Sequence, residues 1–198
     1  MQHLGGDMSR ICRLVITILF ISSISSGVIY ASEKVSGYPP ERYGMGITAG
    51  NSYNLSGDIG YYMLTGFVLY DYERVWKHNA PDELMFKVEG NLGCAHYKRT
   101  RATLSANIFA LYYLDSFEGK TFKPYVEGGI GIIYTDFQVP GQGMRVNFNP
   151  QLGIGAEIKT GSEKAFYMAL RLHHISNGGI DDENRGINSV MGMFGFYF

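Results

Sequence analysis

Residues 146–159 alternate so regularly that they fix most of what this chain can become. Val146, Phe148, Pro150, Leu152, Ile154, Ala156 and Ile158 share one parity, and Asn147, Asn149, Gln151, Gly153, Gly155, Glu157 and Lys159 share the other. Successive side chains of a strand leave opposite faces, so this segment has one greasy wall and one polar wall. A soluble sandwich buries its greasy walls against each other. A membrane barrel instead turns them outward and fills its lumen with polar and small side chains.

The pattern recurs. Leu104, Ala106, Ile108, Ala110, Tyr112 and Leu114 oppose Thr103, Ser105 and Asn107, with Phe109 and Leu111 interrupting the polar set. Val126, Ile130, Ile132 and Tyr134 oppose Tyr125, Glu127, Gly129, Gly131 and Thr135. Segment 59–72 is apolar on both faces, which leaves its register open. The spacing predicts eight strands, at 43–53, 59–72, 84–98, 101–114, 124–137, 146–159, 165–176 and 188–198. The 26 glycines, 15 tyrosines and 12 phenylalanines also favour short strands and tight turns over helices. The last segment places Val190, Gly192, Phe194, Phe196 and Phe198 on one face and ends on an aromatic, as outer-membrane barrels do. The expected fold is therefore all-β, an eight-stranded antiparallel transmembrane β-barrel of the outer membrane, with a soluble sandwich as the rival. Gly128-Gly129-Ile130-Gly131 sits inside a strand with no helix after it, so it reads as relief of crowding in a narrow lumen and not as a nucleotide loop.

Residues 1–31 read as a cleaved signal peptide, with Arg10 and Arg13, an apolar run at 14–20 and a Ser-rich stretch ending at Ala31. The rival is a retained anchor, because 14–31 nearly spans a bilayer, but Ser22-Ser23 and Ser25-Ser26-Gly27 interrupt it. A single barrel domain then fills 32–198, entered through a polar lead that contains Pro39-Pro40. Cleavage removes Cys12 and leaves Cys94 as the only thiol, so no intramolecular disulfide forms. Lys plus Arg number 17 against 18 for Asp plus Glu, a balance that gives no reason to expect nucleic acid as a partner. His78 and His96 are isolated, and no metal-ligand spacing is found among the five histidines, so neither metal nor cofactor is expected.

The chemistry-bearing stretch is His173-His174-Ile175-Ser176-Asn177-Gly178-Gly179. His174 and Ser176 are two apart on a strand, so their side chains leave one face about 7 Å apart at the Cα atoms. An imidazole bridges that gap and takes the hydroxyl proton during attack on an ester carbonyl. Parity places Phe166, Met168, Leu170, Leu172, His174 and Ser176 toward lipid, and Tyr167, Ala169, Arg171 and His173 toward the lumen. With both termini periplasmic, this strand ends at the cell surface and the pair meets the outer leaflet. Asn188 has the parity of Val190 and Phe198, faces the same side across the hairpin, and would accept the second imidazole N–H. Asn177 and Gly178, with Gly179 permitting close backbone approach, would donate to an oxyanion. The bland reading makes His174 and Ser176 ordinary interfacial residues. Asp181-Asp182-Glu183 reads as a solvated loop, with a cation bridging lipid phosphates as its alternative.

His174-Ile175-Ser176-Asn177-Gly178-Gly179 followed by Asn184-Arg185-Gly186-Ile187-Asn188 resembles the PagL-type lipid A 3-O-deacylases. Pro124-Tyr125-Val126-Glu127-Gly128-Gly129-Ile130-Gly131 is similar to a middle strand of that family. The resemblance implies an eight-stranded barrel in a Gram-negative outer membrane that removes the 3-linked acyl chain of lipid A without a cofactor. Lipopolysaccharide would be its substrate partner, and a homodimer is an assembly left open. His174 would be the base, Ser176 the nucleophile and Asn177 an oxyanion contributor. One position departs: the family pattern has Glu after Gly-Ile, where this chain has Asn188. An amide orients imidazole but stabilises imidazolium less than a carboxylate does. A catalytically silent barrel with a structural or lipid-binding role is accordingly the alternative.

Overall fold

The computed structural model describes residues 40–55, 58–160 and 165–198, and the expected signal peptide lies outside them. Nine strands follow one another in the chain: β1 (Arg42–Ser52), β2 (Gly60–Asp71), β3 (Leu84–Tyr97), β4 (Arg99–Tyr113), β5 (Phe122–Thr135), β6 (Val146–Phe148), β7 (Gln151–Lys159), β8 (Ala165–Ile175) and β9 (Ile187–Tyr197). Every pairing is antiparallel between chain neighbours, and β1 pairs with β9, so the sheet closes on itself. Strands β6 and β7 are two pieces of one stave, both paired to β5 and interrupted at Asn149-Pro150. Proline brings no N–H to the ladder, which explains the break. The barrel is thus eight-staved, as the alternation predicts. Closure leaves no open edge in the described sheet, so the backbone groups of its wall are paired strand to strand.

The two walls follow parity. Leu152, Ile154 and Leu170 point outward at 62%, 64% and 59% exposure, while Gln151, Tyr167 and Arg171 are buried inside. The open register of 59–72 resolves with Tyr61, Met63, Thr65, Phe67 and Leu69 turned inward. The lumen corrects one expectation, because apolar and aromatic side chains fill much of it alongside the polar ones. Ile59, Tyr61, Ile133, Phe137, Ile175 and Met191 plug the end away from the start of β1 and the end of β9. Phe67, Leu69, Leu111, Tyr125, Tyr167 and Tyr197 plug the other. Strand β2 is apolar on both faces because its inner residues serve both plugs, with Thr65 alone at the polar waist.

At that waist Arg171 donates through Nη1 and Nη2 to the two oxygens of Glu89, each at 2.7 Å, and through Nε to Glu127 at 2.6 Å. Lys87 Nζ lies 3.2 Å from both carboxylates. All four side chains are buried, so the charges are affordable only as a matched set with its hydrogen bonds made. Phe109, which interrupts the polar parity of β4, packs its ring 4.2 Å from the Arg171 guanidinium carbon. Gly129 is required opposite it: a Cβ there would stand 2.4 Å from the Phe109 ring and 2.2 Å from Ile108 O. The crowding read from the glycine run is therefore real at this position.

Candidate active site

The site stands on the outer wall at the last pleats of β8 and the first of β9, at the end of the barrel opposite the start of β1 and the end of β9. Antiparallel register sets His174 directly across from Asn188 and His173 across from Ser189. His174 Nδ1 donates to Asn188 Oδ1 at 2.6 Å. A carboxamide oxygen only accepts, so Nδ1 carries a proton in this contact, and in the neutral ring the lone pair is then on Nε2. His174, Ser176 and Asn188 are half-buried, whereas Leu172 and Val190, one pleat pair below, are exposed at 53% and 44%. Polar chemistry thus begins where the greasy wall ends.

Ser176 is held by its backbone: its N–H donates to Phe148 O at 3.0 Å, and its carbonyl accepts from Phe148 N–H at 2.8 Å. That bridge extends β8 past the bulge at Asn149-Pro150 and carries the serine onto the face of His174. Among the described residues Ser176 Oγ takes no hydrogen bond, from His174 or any other group. Catalytic hydrogen bonds are commonly long before substrate binds.

The oxyanion expectation divides. Asn177 is buried, its backbone N–H donates to Asn184 Oδ1 at 2.9 Å, and its side-chain amide donates to Asp181 O and Glu183 O. Its carbonyl oxygen meanwhile accepts from Gly179 N–H at 2.8 Å. Both donor groups of Asn177 are thus engaged in folding the loop, which makes it a loop organiser in this structure. Gly178 follows with φ +67° and has no hydrogen bond from its N–H to any described residue. It remains the candidate donor. Asp181, Asp182 and Glu183 are exposed, and Asp181 Oδ1 caps Glu183 N–H at 2.8 Å.

His173 lies in the lumen as parity requires, buried and edge-on to Tyr61 at 5.9 Å. Two features escaped sequence reasoning. Lys87 and Glu89 belong to the luminal waist, and their signal was present as Lys87, Glu89 and Asn91 alternating with Phe86, Val88 and Leu92. Gly186, at φ +73°, backs the His174 ring so closely that a Cβ there would stand 2.9 Å from Cε1. Nothing in the one-dimensional pattern marks that contact.

Comparison with known proteins bears on the family and the barrel. Residues 59–197, well over half of the chain, match the family model described as Lipid A 3-O-deacylase (PagL). The lipid A deacylase PagL of Pseudomonas aeruginosa is 32% identical over 84 residues, a match that spans 41% of this chain and 46% of that protein. Among solved structures, the outer membrane enzyme PagL superimposes with a TM-score of 0.55 at 23% identity, covering 77% of this chain and 97% of that one. Neisserial surface protein A gives 0.58 at 12% identity, covering 79% and 94%, and these two likenesses bear on the barrel alone. Through the family match, this chain belongs to the lipid A 3-O-deacylase (PagL) family of outer-membrane β-barrels.

Proposed function

We propose that the chain is a carboxylic ester hydrolase that removes the 3-O-linked acyl chain of lipid A, with Ser176 as nucleophile, His174 as base and Asn188 as orienter. The observation that carries this reading is the 2.6 Å bond from His174 Nδ1 to Asn188 Oδ1 on the lipid-facing wall. It leaves Nε2 as the free base beside a serine of the same face. As Ser176 Oγ bonds to the ester carbonyl carbon, its proton passes to Nε2, and the Gly178 N–H stands at the rim to meet the developing oxyanion. Collapse expels the sugar oxygen, which takes the proton from Nε2. Water then attacks the acyl-enzyme with His174 again as base, freeing the fatty acid and restoring Ser176.

The wall beneath the site suits such a substrate. Leu170, Leu172, Val190 and Phe194 present a continuous apolar surface along which an acyl chain lies parallel to the lipids. Lipopolysaccharide in the outer leaflet is the partner this supports, and the mass of the detergent complex by light scattering decides between a monomer and a homodimer. The test of function is mass spectrometry of lipid A from cells expressing the wild-type chain, Ser176→Ala or His174→Ala. Loss of one acyl mass with the wild type alone is the expected result. Unchanged lipid A beside a folded wild-type barrel would leave the silent-barrel alternative standing.

A further inference from the structure

The pair His174–Asn188 is held from outside its own hairpin. Asn54, in the loop after β1, donates from Nδ2 to Gly186 O at 3.2 Å and accepts Asn188 N–H on Oδ1 at 2.8 Å. One side-chain amide therefore spans the carbonyl and the N–H that bracket Ile187. From the opposite side Gln142, buried in the loop between β5 and β6, accepts Gly186 N–H on Oε1 at 3.2 Å and donates to Asn147 Oδ1 at 2.6 Å. Its loop is itself tied to the β8–β9 loop, with Arg185 N–H donating to Gly141 O at 2.7 Å and Gly143 N–H to Glu183 O at 2.8 Å. Both polar groups of the Gly186 backbone are thus taken by side chains from two other loops.

That backbone matters for the chemistry on two counts. Gly186 backs the His174 ring, and Asn188, two residues on, carries the oxygen that the ring donates to. A shift of segment 186–188 by a few tenths of an ångström moves both surfaces that orient the imidazole. We infer that Asn54 and Gln142 are positioning residues of the site, an amide brace that sets the Gly186–Asn188 backbone and through it the tautomer and aim of His174. The inference rests on the proposed role of His174 and Asn188, and it makes the site a product of three loops. Both are assigned to act through the Gly186–Asn188 backbone and not on substrate. Their effect falls on turnover and not on substrate affinity.

The test uses the full chain refolded in detergent, with Asn54→Leu, Asn54→Asp and Gln142→Leu made alone and on an Asn188→Leu background. Two readouts are taken: kcat and KM on purified lipid A, and the 15N signals of the His174 ring, identified by their loss in His174→Ala. Removing either brace residue is expected to lower kcat about tenfold with KM unchanged, the size of one lost positioning hydrogen bond. Asn54→Asp keeps the acceptor for Asn188 N–H and should recover part of that loss. On the Asn188→Leu background each change should cost less, because one of the two surfaces they act through is gone. The ring signals should move toward those of Asn188→Leu in each brace variant while the gel shift of the folded barrel is retained. An unmoved His174 signal, or equal losses with and without Asn188, overturns the brace. If the wild type does not cut lipid A at all, the functional reading fails, and the ring signals still decide the brace by themselves.

Discussion

Asn188→Leu isolates the one hydrogen bond on which the proposed mechanism depends, and its cost follows from the geometry. A histidine on a strand has three χ1 wells and two broad χ2 orientations, and its neutral ring has two tautomers, about twelve states in all. Only one of them aims an unprotonated Nε2 along the wall toward Ser176. Gly186, packed behind the ring, already excludes some, so losing the Asn188 oxygen dilutes the working state roughly fivefold. The same oxygen also meets the imidazolium that forms during attack, and a hydrogen bond to a charged group contributes about 1.5 kcal/mol at the low end, roughly another twelvefold. Together these predict a loss on the order of 10²-fold in kcat, in line with triads whose third member was disabled. The structure also names the better gain-of-charge variant. Asn188→Asp keeps the oxygen that stands 2.6 Å from Nδ1 and adds a full charge, so it should hold the rate or raise it by up to about tenfold. Asn188→Glu, which matches the family pattern, must fold an extra methylene into the same gap. The assay is fatty acid release from purified lipid A in detergent, normalised to folded barrel by gel shift. A folded Asn188→Leu chain that turns over at the wild-type rate would refute the orienter.

Gly186→Ala places a methyl 2.9 Å from His174 Cε1 at a left-handed φ, so activity should fall at least tenfold while the folded gel band persists; full activity would show that the ring does not rest there. Arg171→Met leaves Glu89 and Glu127 sharing Lys87 alone in the buried waist, which should cost about 3–5 kcal/mol in urea unfolding from lipid vesicles, and a change below about 1 kcal/mol would contradict the matched-charge account. His173→Ala removes a luminal ring with no path to the outer wall, so measurable deacylation should survive in a chain whose His174→Ala counterpart is dead; the reverse order would invert the two faces.

Much of this was legible in the sequence because a barrel wall is a local object. Period-two alternation gave the strands to within two residues at most ends and put Arg171 and His173 inside and Leu170 and Leu172 outside. Antiparallel hairpins then carried parity across the turn, which is why Asn188 stands opposite His174 as expected. What parity does not carry is filling. Phe109 and Leu111 looked like noise on a polar face, yet they are luminal packing, and three of the four ion pairs at the waist join residues 40 or more positions apart: Lys87 bonds Glu127 across a separation of 40, and Arg171 bonds Glu89 across 82 and Glu127 across 44. Loop contacts were equally hidden. Asn177 read as an oxyanion donor because it follows the serine, but its donors are consumed by Asn184, Asp181 and Glu183, a fold of the loop that no alternation encodes.

The closed lumen also bears on where the proposed chemistry can sit. Two apolar clusters, a neutral quartet of charges at the waist, the Arg42–Glu157 pair and buried amides fill the interior, which leaves the outer wall and the rim for a substrate. On the outer wall a polar side chain facing hydrocarbon is costly unless it finds a partner. His174 and Asn188 find each other, which makes a polar pair tolerable one pleat above Leu172 and Val190. Lower on the wall the same pair would meet acyl chains but no water to complete hydrolysis. Higher, in the loops, water is plentiful but the ester, buried at the base of the headgroup, is out of reach. The height at which β8 stops alternating with lipid is therefore the height at which an esterase of this geometry has both of its reactants.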